Sequence, residues 1–196
     1  MFGIRSTHTA NERAVSHARR AVTEPRALRR ATPGDARALV QLVESAYRGE
    51  SSRAGWTTEA DLLDGQRTDL DEVRELIGDP AARLTLAHEG TALLGCIWAK
   101  IEDDGAHLGL FAVRPDRQAH RIGRALLEEA ERVSRDELGA NTAVLHVLQT
   151  RSELLAWYER RGYRDSGRRA PFQYGNPRVG LPKVDRLEFR VLTKEI

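Results

Sequence analysis

Arginines gather at one point in this chain where they could hold a phosphate. Between Phe111 and Leu127 the sequence reads FAVRPDRQAHRIGRALL. An apolar run ends at Val113 and a turn follows at Arg114-Pro115-Asp116. Gln118, Ala119, His120, Arg121, Ile122, Gly123 and Arg124 then lead into a helical pattern. A helix start leaves backbone N–H groups without intrahelical partners and carries partial positive charge, so it suits a phosphate or pyrophosphate. The dipole alone contributes about 0.3–1 kcal/mol at an exposed site. Arg117, Arg121 and Arg124 would add full charges, and His120 a hydrogen-bonding ring. Neither a Gly-Lys-Ser/Thr phosphate loop nor a G-x-G-x-x-G dinucleotide turn follows the strand, which argues against nucleotide hydrolysis and nicotinamide binding.

The elements around this stretch can be read from period and punctuation. Ala27–Arg30 reads as a first strand. Thr32-Pro33 then caps a helix whose apolar stripe is Ala36, Leu39, Val40, Val43 and Tyr47. The segment 48–56 reads as a loop, 57–63 as a short helix capped by Thr57 or Thr58, and 69–77 as another helix. Residues 83–87 and 92–101 form a hairpin around His88-Glu89-Gly90, and 107–113 is a central strand, apolar on both faces. The helix that follows Arg114-Pro115-Asp116 buries Ile122, Ala125, Leu126, Ala130 and Val133. A strand at 143–148, a helix at 152–161 closed by Gly162, a Gly- and Pro-rich loop and a last strand at 186–192 complete the chain. One strand–helix–strand crossover in a mostly antiparallel sheet is an α+β, mixed α/β architecture.

Composition sets the frame. The 196 residues fit one domain, 40% of them hydrophobic and 31% charged, as expected of a folded chain. A net charge of +2 gives no argument for nucleic acid or an acidic membrane. The single cysteine, Cys96, excludes a disulfide framework and a multi-cysteine zinc site, so no metal is expected, and it fits a reducing, cytoplasmic setting. It reads as a small core residue, as does His146 mid-strand. No apolar run reaches the roughly 20 residues that span a bilayer. Residues 1–25 carry Arg5, Arg13, Arg19 and Arg20 with few large apolar side chains and read as a flexible basic arm, leaving 26–196 as the domain. A nucleic-acid role would have to come from that arm.

Gln118-x-x-Arg121-x-Gly123-Arg124 resembles the acyl-CoA-binding motif Q/R-x-x-G-x-G/A of the GNAT N-acetyltransferases. Leu155-Ala-Trp-Tyr158-Glu-Arg-Arg-Gly162-Tyr163 resembles the same family's second signature, a helix ending in Tyr-x-x-x-Gly-Phe/Tyr. The resemblance implies a GNAT-like fold, with a central sheet splayed between the strands at 107–113 and 143–148 and flanked by helices. It implies acetyl-CoA as acyl donor, its pantetheine arm alongside Leu110, Phe111, Ala112 and Val113 and its pyrophosphate at the amides of 118–124. Tyr158 would lie near the cofactor sulfur. Two positions depart from the pattern. Arg121 stands where the motif has its first glycine: a helical backbone there would let its side chain bind phosphate, and a positive φ would tell against cofactor affinity. Arg151 stands where relatives often carry asparagine, and would reach the cofactor or an acidic substrate group.

The reaction so implied is direct attack of an amine on a thioester. Freeing a neutral alkyl amine at pH 7 costs about 4–5 kcal/mol, against about 2 kcal/mol for a thiol to leave as thiolate, so a base matters more than an acid. His107, four residues before Phe111 and so expected on its face of the strand, is the first candidate, with Glu44, Glu50 and Glu59 as rivals. Tyr158, a weaker acid than the thiol, is expected to donate a hydrogen bond to the sulfur. Tyr47, Glu50, Trp56 and Glu59, on a glycine-containing segment with both charge signs, form the expected acceptor wall. That segment is similar to one in a bacterial GNAT subgroup. The expected acceptor is a small-molecule amine, and a homodimer is compatible with all of this. The alternative is a catalytically weak GNAT-fold module that binds acyl-CoA or a partner.

Overall fold

The structure is a computed structural model that describes residues 27–118 and 120–196. The basic arm at 1–25 and the cofactor assignment to Ala119 lie outside the described residues. Seven strands form one sheet in the order β1-β3-β4-β5-β6-β9-β7: β1 Ala27–Arg30, β3 Ala82–Glu89, β4 Ala92–Glu102, β5 Gly105–Val113, β6 Thr142–Leu148, β9 Glu188–Glu195 and β7 Arg164–Pro171. Every pairing is antiparallel except β5–β6, which is parallel and bridged by helix α4, Ile122–Asp136. The two-residue strands β2, Leu63–Asp64, and β8, Leu181–Pro182, pair apart from the sheet.

Two apolar stripes cover the two faces. Helix α1, Ala36–Tyr47, and helix α3, Leu70–Gly78, lie on one face, where Leu39, Val43 and Val73 pack with Leu86, Cys96, Leu110 and Ala112. Helix α4 and helix α5, Ser152–Glu159, lie on the other, where Leu126, Ala130, Leu155 and Tyr158 pack with Ile97, Leu108 and Leu145. Asp35 anchors the start of α1, accepting the Thr32 backbone N–H at 2.8 Å and pairing with Arg29 at 2.7 Å. Asp69 caps α3 by accepting the Glu72 N–H.

The feature that positions the site is a fork. Strands β5 and β6 pair only from Ala106↔Ala143 to Leu108↔Leu145 and then part. At the same level β5 carries a bulge. Trp98 opposes Gly109 and Cys96 opposes Ala112, so Leu110 and Phe111 together face the single residue Ile97, with Leu110 at φ 40°. The extra residue inverts the alternation. Ala106 and Leu108 point to the α4 face, Leu110 and Ala112 to the α1 face, and Phe111 and Val113 to the α4 face again. His107 therefore lies on the face opposite Phe111, contrary to the simple two-residue period. Gly109 is a requirement of this geometry, since a Cβ there would sit 2.6 Å from the Trp98 ring.

Most element boundaries follow the sequence reading, and the departures are local. The segment 48–56 contains a short helix, α2, Gly49–Ser52. No helix forms at 57–63; Thr58 instead bonds the Ser52 hydroxyl at 2.6 Å and the chain leads into β2. Strand β7 falls in the expected loop, because its side chains are almost all exposed and show no apolar alternation. Its order comes from pairing with β9.

Candidate active site

A cleft of about 770 Å³ opens where β5 and β6 part. The start of α4 and the length of α5 form one side, and the end of α1 with the segment after α2 forms the other. Of the residues singled out by the sequence, the fold brings Tyr47, Trp56, Phe111, Ala112, Val113, Gln118, Arg121, Gly123, Arg124, Arg151 and Tyr158 to its lining. Leu110 and Ile122 are both 2% exposed and belong to the two cores, so only their backbone is placed near the cleft. Among the described residues, no cluster of His, Cys, Asp or Glu forms a metal site.

At the α4 end the Arg121 backbone is left-handed, the alternative that the sequence reading set against cofactor affinity. Arg121 is the N-cap of α4 at φ 61°, ψ 3°, a left-handed conformation that costs an L side chain about 1–2 kcal/mol. Gly123, the second residue of the helix, lies beside Phe111, where a Cβ would stand 3.6 Å from the ring. His120 turns its Nδ1 to the carbonyls of Arg117 and Gln118 and does not line the cleft. Gln118 is a clasp: its Oε1 accepts the Trp56 N–H at 2.9 Å and its Nε2 donates to the Val113 carbonyl at 3.3 Å. Gly55 is small for that reason, since a Cβ there would lie 2.5 Å from the Gln118 Oε1. Arg160 and Arg161 add cationic lining that the motifs did not mark. The signal was helical spacing, because Leu154 and Tyr158 fall on one face of α5 and Arg161 follows in the turn that ends it. Arg161 lies 3.5 Å over the Trp157 ring and donates to the Trp157 carbonyl at 2.7 Å.

The opposite wall is organised by Glu59. Its Oε2 accepts from Arg48 at 2.9 Å and its Oε1 from Arg151 at 2.8 Å, while Arg151 also donates to the Thr57 hydroxyl at 2.7 Å. All three side chains are about nine-tenths buried. Burial pushes the Glu59 carboxyl up, but Arg151, Arg67 and Arg48 together outweigh it and hold it below its ordinary value. Glu59 is thus an ionised strut, neither a base nor an open acceptor contact. Glu50 is turned to solvent on Arg53 at 3.0 Å, and Glu44 accepts the backbone N–H groups of Arg67 and Thr68 at 2.6 and 2.9 Å. Arg151 is occupied by Glu59 and Thr57 on this wall. Tyr47 donates its hydroxyl to the Phe111 carbonyl at 2.9 Å, which ties α1 to the parted edge of β5.

Tyr158 is 4% exposed, packed against Phe111, Trp157 and Tyr163 at centroid distances of 6.4, 5.1 and 5.6 Å. Burial pushes its phenol well above the ordinary value, with Tyr47 adding to the shift, so the group stays protonated. His107 does not line the cleft. Its Nε2 is 2.6 Å from Asp104 Oδ1, and its ring stands edge-on to His146, centroids 5.3 Å apart. His146 is the first residue of β6 beyond the last β5–β6 pair; the residue reaches solvent, while its ring is flanked by His107 and Phe189. Burial of its ring first, then His107 and Arg168, pull its pKa down.

A parallel pair forked inside a mostly antiparallel sheet, beside a basic helix start, is the architecture that the resemblance to the GNAT acetyltransferases implied. The family model described as the acetyltransferase (GNAT) family matches residues 38–163, well over half of the chain, and the chain belongs to that family. Members generally use acetyl-CoA and act on amine acceptors, small molecules or proteins. The fold is shared with the ribosomal-protein-S18-alanine N-acetyltransferase of Escherichia coli (TM-score 0.63, 17% identity, 87% of this chain and 93% of that one covered). It is shared with a point mutant of the spermidine N-acetyltransferase SpeG of Vibrio cholerae (0.62, 16%, 86% and 92%). A GNAT-family acetyltransferase from Streptococcus pneumoniae is similar to the same degree (0.62, 14%, 87% and 99%). At these identities the likeness is one of fold. No curated protein sequence matches the chain.

Two stability measurements test this description. Arg121→Gly should be more stable than Arg121→Ala by about 1 kcal/mol in urea unfolding, because both lose the side chain and only glycine relieves the left-handed backbone. Equal stabilities would contradict the strain. Glu59→Gln should lose about 3–5 kcal/mol, since it leaves two buried guanidiniums without their carboxylate. The depressed Glu59 pKa contributes stability that is complete above the unfolded value of about 4.3 and is lost as pH falls through the folded one. The variant's unfolding midpoint should therefore fall less steeply than wild type on acidification below about pH 4.3.

Proposed function

We propose that this protein transfers an acetyl group from acetyl-CoA to a primary amine of a small-molecule acceptor by direct attack, in the domain formed by residues 26–196. The observation that carries the reading is the fork itself: a parted strand edge that joins a basic helix start on one face to a separate polar wall on the other. The residues present fit the donor. Arg121, Arg124, Arg160 and Arg161 offer cationic groups for its phosphates, and the N-terminal amides of α4 add backbone donors. Phe111, Val113 and Trp157 offer an apolar edge for its pantetheine arm. When bound, acetyl-CoA supplies an activated thioester.

Tyr158 holds its proton across the working pH range, so its part is to donate a hydrogen bond toward the departing sulfur. Removal of the acceptor proton, the larger demand, is assigned to His146, which like His107 is outside the cleft lining but stands where the strands separate. Its lowered pKa favours the neutral, proton-accepting ring. His107, held by Asp104, is a positioning residue behind it. No described helix is long and apolar enough to cross a membrane.

Calorimetric titration with acetyl-CoA, paired with thiol release across a panel of amines, tests the reading. Binding with thiol release supports it, and binding without release favours the acyl-CoA-binding module. Tyr158→Phe should lower kcat by about 10-fold or more with acetyl-CoA affinity unchanged, the pattern of a transition-state contact. Unchanged turnover would remove Tyr158 from the reaction. His146→Gln should lower kcat at saturating acceptor and abolish an acidic limb lying below about pH 6.5, the ordinary histidine value. A limb that persists would assign the proton to another group.

A further inference from the structure

The wall opposite the donor's phosphates is too positive for its own carboxylates. Three guanidiniums converge near Tyr47: Arg48, Arg67 and Arg151. Arg48 and Arg151 share Glu59. The Glu44 Oε1 accepts the backbone N–H groups of Arg67 and Thr68, which pins the segment so that the Arg67 side chain reaches the Tyr47 ring, 5.2 Å from guanidinium carbon to centroid. Arg151 lies 5.9 Å from the same ring. Among the described residues, Arg67 has no carboxylate within ion-pair distance. Its charge is nevertheless felt at the site, where it helps hold Glu59 ionised and opposes the upward shift of the Tyr47 phenol. Glu50 points to solvent, which leaves Glu153 on α5 as the acid in the cleft lining.

Arg67 is half-buried and stands behind Tyr47, a residue of the cleft lining, and a guanidinium with no carboxylate of its own suits a planar anion. We infer that the acceptor is an amine that also carries a carboxylate, and that Arg67, seated on the Tyr47 ring, receives that carboxylate. The inference rests on the transferase reading and adds the acceptor's chemical class. The same charge serves the reaction, because a cationic wall disfavours the ammonium form of the acceptor and so favours the neutral amine that attacks. It also argues against a polyamine, the acceptor for which the Vibrio cholerae relative is named, since a polycation would meet like charge here. Trp56, 43% exposed at the rim, provides apolar surface for the rest of the molecule.

The experiment compares matched acceptors that differ by the carboxylate alone: tryptophan with tryptamine, and phenylalanine with phenethylamine, with spermidine as the polycation. In the wild-type enzyme kcat/KM should favour the carboxylated member by roughly 10- to 100-fold, the size of one charge-assisted hydrogen bond. Arg67→Gln should bring that ratio near one and Arg67→Lys should keep most of it. The ratio is taken within each variant, so a loss of folded enzyme affects both members equally. As a measurement on wild type alone, 3-phenylpropionate should inhibit in competition with the acceptor and 3-phenylpropanol should not. Thiol release with equal or better use of the plain amines or spermidine overturns the acceptor class and leaves the transferase reading standing. A preference that survives in Arg67→Gln overturns the assignment to Arg67. Acetyl-CoA binding with no thiol release from any acceptor overturns both.

Discussion

The constraint on which this molecule depends is the end of pairing between β5 and β6 after Leu108 and Leu145. A strand edge inside a protein cannot leave its backbone groups without partners at no cost. Here two carbonyls of the parted edge accept side-chain donors, Phe111 from the Tyr47 hydroxyl and Val113 from the Gln118 amide. Those bonds do more than satisfy the backbone. Tyr47 brings the end of α1 to the opening, and Gln118 holds the Trp56 segment against the entrance to α4. The two walls of the cleft are thereby placed relative to one strand. The bulge at Leu110 and Phe111 then turns Phe111 toward α5 and Tyr158.

Electrostatics divide the cleft into two ends of similar sign but different construction. At the α4 end the arginines lie on a helix start and at the end of α5, where a phosphate can be met by charge and by amides together. At the other end, charges are buried and mutually braced. A carboxylate between two guanidiniums is costly to desolvate, and it persists because its hydrogen bonds are short and several. Glu59 is consequently a structural anion that keeps Arg151 at the cleft wall.

Arg121 shows how one residue can depart from a family motif without undoing the turn. The motif has glycine at this position, glycine takes left-handed backbone freely, and this chain enters α4 through a left-handed residue with arginine there. The penalty is small on the scale of a domain's stability, and in exchange a full positive charge stands at a helix N-terminus.

Much of the framework was legible in the residues. Helix α4 announced itself by an apolar stripe, β4 and β5 by their apolar runs, and α5 by its Tyr158-to-Gly162 ending, because periodicity and caps are local properties. The same local signals placed the basic helix start, since motif residues adjacent in sequence remain adjacent there. The wall opposite the α4 end was a different matter. Its residues lie far apart in the chain, Glu59 meeting Arg151 and Tyr47 meeting Phe111, and no spacing rule relates such pairs. Strand β7 carried no pattern, because an exposed edge strand is ordered by its neighbour's hydrogen bonds. His107 and Phe111 looked like neighbours on one face until a single inserted residue inverted them. What the sequence determined alone was therefore the set of elements and the basic helix start. The burial of Glu59, the seat of Arg67 on the Tyr47 ring and the face presented by each β5 side chain were decided by tertiary structure, because each depends on what a distant segment brings to the same place.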